Sequence, residues 1–248
     1  MNDEELLRYS RQIMLPDVDV AGQEKLFAAE VLIVGLGGLG SPVAMYLAAA
    51  GVGQLTLIDD DKVDLSNLQR QIVHTTENIQ QMKVVSAANT LHALNPNVKI
   101  KSIDQRLNSE QLQMEVEAAD VVADCTDNFT TRFLLNKLSV QNKTPLVSGA
   151  AIRLEGQLSV FDPRRTDSPC YRCLYEELDD ENLSCAQSGV LSPVVGVIGT
   201  LQAVETIKLI VGLGDTLVGR LQLYDAKAGA WREFKLNKDP NCPICSVS

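Results

Sequence analysis

Histidine is nearly absent from this chain: only His74 and His92 occur in 248 residues. That leaves little for chemistry in which an imidazole passes protons, hydride transfer to a nicotinamide cofactor included. Positive charge is scarce as well. Against 32 acids stand 22 lysines and arginines, a formal charge of -10, which excludes a chain that holds nucleic acid mainly by its charge. No basic, apolar leader opens the sequence, and no apolar run reads as long enough to span a bilayer, so a cytoplasmic enzyme without a membrane partner is expected. Internal repeats are missing, and so is any Gly/Ser or Pro linker long enough to separate domains. The expectation is one domain over 1–248: N-terminal helices in 1–30, a nucleotide-binding half in 31–150 and a mixed-sheet half in 151–248. A hydrophobic content of 45% is ample for its core.

What the sequence does contain is organised around Val31-Leu-Ile-Val-Gly-Leu-Gly-Gly-Leu-Gly-Ser-Pro42. Four apolar residues suit a strand buried on both faces, and Gly35, Gly37 and Gly40 follow the G-x-G-x-x-G spacing. Ser41 reads as the cap of a following helix, with Pro42 in its first turn. Such a turn lets backbone amides and the positive end of a helix hold a phosphate, although a glycine-rich turn alone can be purely structural. A second strand, Gln54-Leu-Thr-Leu-Ile-Asp59, ends in an acid nineteen residues after Gly40, close to the spacing at which a carboxylate reaches a ribose.

In chain order, residues 2–15 read as one short helix with Arg8 and Arg11 on a shared, solvated face, and 23–29 as another. The polar loop 60–71 gathers acids, an amide and Arg70. Helical periodicity resumes over 82–94, with Lys83 near its start. A strand over 98–103, a helix over 109–118 and a strand over 121–124 follow. The last runs into Cys125-Thr-Asp-Asn128, so Asp124, Asp127 and Asn128 are expected to face one crevice with Gly37 and Asp59. A helix over 130–141 and a strand over 145–148 complete the parallel part. Beyond Gly156 the pattern changes to antiparallel strands over 157–161, 220–224 and 231–236, with a long apolar helix over 193–211 between them. The fold class is therefore α/β, a Rossmann-like doubly wound sheet continuing into antiparallel strands.

Six cysteines in a chain of this kind read as metal ligands or reactive thiols rather than disulfides. Cys170-Tyr-Arg-Cys173 and Cys242-Pro-Ile-Cys245 can set four thiolates around zinc, a structural site that clasps the C-terminal tail to the middle of the chain across 68 intervening residues. Two separate redox pairs are the rival. Cys125, ending an apolar strand, reads as a small core residue. Cys185, in an acidic polar segment, is open to either a functional or an incidental reading.

The combination of Gly35-Leu-Gly-Gly-Leu-Gly40, Asp59-Asp-Asp-Lys-Val-Asp-Leu-Ser-Asn-Leu-Gln-Arg70, Asp124-Cys-Thr-Asp-Asn128, the two C-x-x-C pairs and Cys185 resembles the bacterial ubiquitin-activating-like adenylyltransferase family over essentially the whole chain. The resemblance implies ATP-dependent adenylation of the C-terminal glycine of a small ubiquitin-like sulfur carrier protein ending in Gly-Gly, by a homodimer. It implies that Arg70 and Lys83 hold the phosphates, that Asp127 binds magnesium and that Arg11 reaches the partner's ATP. Asp59 matches the ribose ligand, and Gly38 and Asn67 match contacts to the nucleotide. Asp61, Ser66 and Asn128 complete the expected nucleotide-binding set, and Cys185 is a possible thiol in a covalent link to the carrier. Ser148-Gly-Ala-Ala-Ile-Arg-Leu-Glu-Gly-Gln157 is most similar to the molybdopterin branch, while Asp59-Asp-Asp61 and Arg8-Tyr-Ser-Arg-Gln12 look equally like the thiamine branch. Outside the resemblance, the glycine turn and Asp59 alone also fit an NAD-dependent oxidoreductase or a non-catalytic binding protein.

Overall fold

The computed structural model describes residues 1–176 and 189–246. One eight-stranded sheet runs through both halves of the chain: β1 (Glu30–Val34), β2 (Gln54–Ile58), β3 (Lys99–Ile103), β4 (Val121–Asp124), β5 (Leu146–Ile152), β6 (Glu155–Phe161), β7 (Arg220–Asp225) and β8 (Ala230–Lys235), in the spatial order β3-β2-β1-β4-β5-β6-β7-β8. The first five are parallel, and β6, β7 and β8 continue the sheet antiparallel. The expected α/β class is thus what forms. Strand β1 is buried on both faces. Val31 and Ile33 join a core with helices α3 (Asp19–Ala28), α4 (Gly40–Ala50) and α5 (Lys83–Leu94), while Leu32 and Val34 join one with α6 (Ser109–Ala118) and α7 (Phe129–Asn142). The strand order reverses between β1 and β4, and ligands of such sheets gather there, outside the carboxyl ends of the strands.

Several boundaries differ from the sequence reading. The N-terminal segment is two helices, α1 (Asp3–Arg8) and α2 (Ser10–Ile13), broken where Tyr9 turns into the core. Its ring meets Phe27 edge-on at 5.1 Å, and its hydroxyl accepts the Asn95 amide at 2.8 Å. Arg8 and Arg11 therefore sit on different helices; Arg8 donates to the Leu94 carbonyl, and Arg11 is exposed. Helix α3 starts four residues earlier than expected, because the Asp19 carboxylate accepts the amides of Ala21 and Gly22. Ser41 does not cap α4. It lies inside the helix, and its hydroxyl donates to the Gly37 carbonyl at 2.7 Å. Strand β5 runs on to Ile152 because it folds back against β6 as a hairpin.

Helix α9 (Ser192–Val211), which follows the single-turn α8 (Tyr171–Leu174), corrects a further expectation. The helix has 20 residues, and an 18-residue stretch of it has a mean hydropathy of 1.7, long and apolar enough to cross a membrane by length and composition, with half of that stretch buried in the protein. It packs across α4, β5 and β6. Gln202 carries polar groups into that contact, its amide donating to the carbonyls of Asp124 at 2.8 Å and Val147 at 3.2 Å. A buried carbonyl at the end of β4 and one in β5 thereby keep a partner.

Candidate functional site

The glycine turn after β1 shapes one wall of the site. Gly35 has φ +90°, and a Cβ there would stand 2.8 Å from the Cys125 carbonyl oxygen. A Cβ on Gly40 would stand 1.9 Å from the Gly35 carbonyl oxygen, so the turn closes on itself only without a side chain. Gly37 is open by contrast, with only the Gln71 amide near. The first turn of α4 leaves amide groups without helical partners on this side.

Asp59, just past β2, locks the turn. One carboxylate oxygen accepts the Leu36 N–H at 2.7 Å, and the other accepts that of Asp61 at 3.0 Å. Lys83, 4% exposed at the start of α5, donates to Asp61 at 2.7 Å and lies 3.6 Å from Asp59. Burial pushes the Asp59 carboxyl above its ordinary value, with Lys83 and the two amides pulling it back. His74, which the sequence places in a polar loop, is buried. It joins Ser86 of α5 to the Leu36 carbonyl at 2.8 and 3.2 Å. Leu36 is thus held at its N–H by Asp59 and at its carbonyl by the imidazole. That second contact requires a proton on Nε2 and leaves Nδ1 to accept from Ser86.

A cleft of about 970 Å³ opens here, lined by Gly35, Gly37, Gly38, Asp59, Asp61, Arg70, Lys83, Asp127 and Asn128 among others. Arg70 donates to the Asn67 side chain at 2.8 Å and to the Ser66 carbonyl at 3.3 Å, around the 3-10 turn Leu65–Asn67. Asn67 and Ser66 lie outside the cleft lining, as do Gly40 and Arg11. Asn128 caps α7, its side chain accepting the Thr131 N–H at 2.9 Å. Asp127 is exposed at the mouth.

Asp124 does not face the crevice as expected. It is fully buried beneath it, 3.7 Å from the Arg132 guanidinium, and accepts the hydroxyls of Thr126 and Ser148. Arg132 in turn donates to the carbonyls of Thr126 and Gly149, fixing the loop that carries Asp127. Arg106 also lines the cleft and was not singled out from the sequence, although it stands three residues past the carboxyl end of β3, where the same topological rule points. The cleft is also lined by Gly156, Gln157, Tyr224 and Arg232 of the antiparallel strands.

Among the described residues, Cys170, Cys173, Cys242 and Cys245 bring their sulfurs within 4.8 Å of one another, all as free thiols. Neighbouring sulfurs are 3.5, 3.6 and 3.9 Å apart. Four sulfurs bound to zinc at about 2.3 Å in a tetrahedron lie about 3.8 Å from one another, so the set fits. Burial and the neighbouring Cys173 push the Cys170 thiol up to about 12, a cost that a bound cation would remove. Asp59, Asp60 and Asp61 form a second group of closely spaced carboxylates. Cys125 is buried at the end of β4, and burial raises its thiol, as a core reading requires. Cys185 lies outside the described residues.

A parallel sheet with a glycine turn and an acid at its switch point, opening on a cleft that carries Arg70, Lys83 and several carboxylates, defines a nucleotide-binding enzyme. The chain belongs to the ThiF family, whose sequence model matches residues 9–244. It is 48% identical over 248 residues to the sulfur carrier protein ThiS adenylyltransferase of Escherichia coli, covering 100% of this chain and 98% of that one. It is 47% identical over 245 residues to the molybdopterin-synthase adenylyltransferase of the same organism, covering 99% and 98%. The Escherichia coli MccB structure with MccA-N7isoASN superposes with a TM-score of 0.84 at 24% identity, over 96% of this chain and 74% of that one, a likeness of fold. The chain is an adenylyltransferase, as the resemblance implied.

Proposed function

We propose that this enzyme uses ATP to adenylate the C-terminal glycine of a small ubiquitin-like sulfur carrier, activating it for thiocarboxylate formation. The observation that carries this reading is the convergence of Arg70, Lys83 and Asp127 with the glycine turn on one cleft of about 970 Å³ that is also lined by residues of β6–β8. The carrier's carboxylate is ionised at neutral pH, so its attack on the α-phosphorus needs no general base. The new acyl–phosphate bond forms as the bond between the α-phosphorus and the bridging oxygen breaks, and pyrophosphate leaves with that pair of electrons. Arg70 and Lys83 take up the growing charge. Lys83 exchanges Asp61 for phosphate when the nucleotide enters, and Asp59 accepts from the ribose. Asp127 would hold a magnesium ion, which would supply further neutralisation of the triphosphate.

Gly37 leaves room for the nucleotide to approach the backbone, and Gly35 and Gly38 border it where a side chain would instead meet Cys125 and Val195. Gly40, Asn67 and Ser66 act by shaping the turn and holding Arg70, and Asp61 and Asn128 border the phosphate path. Arg11, exposed near the N-terminus, reaches the ATP of the partner subunit in a homodimer. Zinc closes the four-cysteine clasp, and Cys185 offers a thiol to the activated carrier. A cytoplasmic setting keeps these thiols reduced.

The carrier of molybdopterin synthesis is the reading favoured by residues 148–157, and the thiamine-pathway carrier is the alternative favoured by the 48% identity to the ThiS enzyme. Incubation with magnesium-ATP and each carrier in turn, scored by the mass of the acyl-adenylate, tests both. Product with the first carrier alone supports the molybdopterin reading, product with the second alone supports the thiamine reading, and product with neither overturns the proposal.

A further inference from the structure

Helix α7 meets the cysteine cluster through the side chain of Asn136, which is 1% exposed. Its oxygen accepts the Tyr171 N–H at 2.8 Å, and its Nδ2 stands 3.6 Å from the Cys170 sulfur in donating geometry. Tyr171 fixes the orientation of this amide. A backbone N–H can only donate, so the oxygen faces Tyr171 and the NH₂ group must face the sulfur.

The need for such a donor follows from charge. Four thiolates around one divalent cation leave a net charge of -2, and Cys170 and Cys242 are almost wholly buried. Donors that point at the sulfurs spread that charge and set their orientation. Backbone amides already do so at Cys173, from Cys170 at 3.5 Å and Asp239 at 3.4 Å. At Cys170 the corresponding donor comes from a side chain on a different element, 34 residues earlier in sequence.

We infer that Asn136 is a positioning residue of the metal clasp: its Nδ2–H donates to the Cys170 thiolate of the loaded cluster, and retention of the metal depends on it. This rests on reading the four cysteines as a zinc site. Asn136 does not line the cleft that holds Arg70, Lys83 and Asp127, so the effect belongs to the metal and not to the adenylation step.

The test uses the full-length protein. Asn136→Asp keeps the shape and the acceptor for Tyr171 but turns an oxygen, with added negative charge, towards the sulfur. Zinc affinity, measured by competition with a chromophoric chelator, should fall about 10–100-fold. With cobalt in place of zinc, the sulfur-to-cobalt charge-transfer band should move to lower energy, because the thiolate loses a donor. A direct readout needs no variant: in the cadmium-113 form of the unmutated protein, a scalar coupling across the hydrogen bond should link the metal to the Asn136 side-chain amide protons. Zinc affinity within twofold of the unmutated protein with an unmoved cobalt band, or no coupling at Asn136, overturns the inference. Failure of the unmutated protein to bind zinc, cobalt or cadmium overturns the zinc reading itself, and the inference with it.

Discussion

A methyl group added at Gly37 and one added at Gly40 would meet opposite surroundings, although both glycines belong to one motif. At Gly40 the added carbon collides with the Gly35 carbonyl, whereas at Gly37 it has only the end of Gln71 at 3.6 Å. Gly40→Ala should therefore cost about 3 kcal/mol or more in stability. Gly37→Ala should stay within about 1 kcal/mol of the parent while raising KM for ATP, because the methyl enters the cleft. Urea unfolding and ATP titration separate the two outcomes.

His74 gives a second residue-level expectation. Burial holds its imidazole below 6.5, and nearby Lys83 adds to the effect. A depressed folded value means that this group's stability is complete above about 6.5 and is lost as pH falls through the folded value. The melting temperature should drop more steeply between pH 7 and 5 for the parent than for His74→Gln. Equal slopes would refute this assignment.

At the scale of elements, the nucleotide end of the cleft is assembled from short segments at the ends of β1, β2 and β4, the start of α5 and the loop 65–71, and that loop holds its cation indirectly. Asn67 accepts from Arg70 at 2.8 Å without lining the cleft. Asn67→Ala should raise KM for ATP severalfold with little loss of rate at saturation, while Arg70→Ala or Lys83→Ala should lower the rate by about 10²–10³-fold. Steady-state kinetics of acyl-adenylate formation distinguish these cases.

Elements of this kind were legible where a local pattern dictates them. The glycine spacing and Asp59 announced the β1–α4–β2 unit, and α6 and β4 fall on their expected residues. Where packing at a distance decides, the sequence is silent. Tyr9 breaks the first helix because of Phe27 and Asn95, neither of which is its neighbour in sequence. Asp124 turns under the crevice because Arg132, eight residues on, reaches back to it. Arg132 looked like any polar helical residue until the sheet was assembled.

Across the whole molecule, the cysteine clasp joins segments 72 residues apart, Cys170 to Cys242 and Cys173 to Cys245, and ties the tail after β8 to the region of α8. The paired C-x-x-C motif was legible because its signal is local at both ends, while the side chain behind it, Asn136, was not. Removal of zinc should lower the melting temperature and free the tail to proteolysis while leaving ATP affinity nearly unchanged, since no cysteine of the cluster lines the nucleotide end of the cleft. Calorimetry before and after verified metal removal checks this.

The account as a whole stands on one cleft joining nucleotide chemistry to a foreign protein tail. Its most direct measurement is isotope exchange between pyrophosphate and ATP, catalysed by the purified chain with magnesium and a carrier ending in Gly-Gly. Exchange that requires the carrier and falls about 10²–10³-fold in Lys83→Ala is the predicted result; exchange absent with both carriers, or undiminished in that variant, would contradict it.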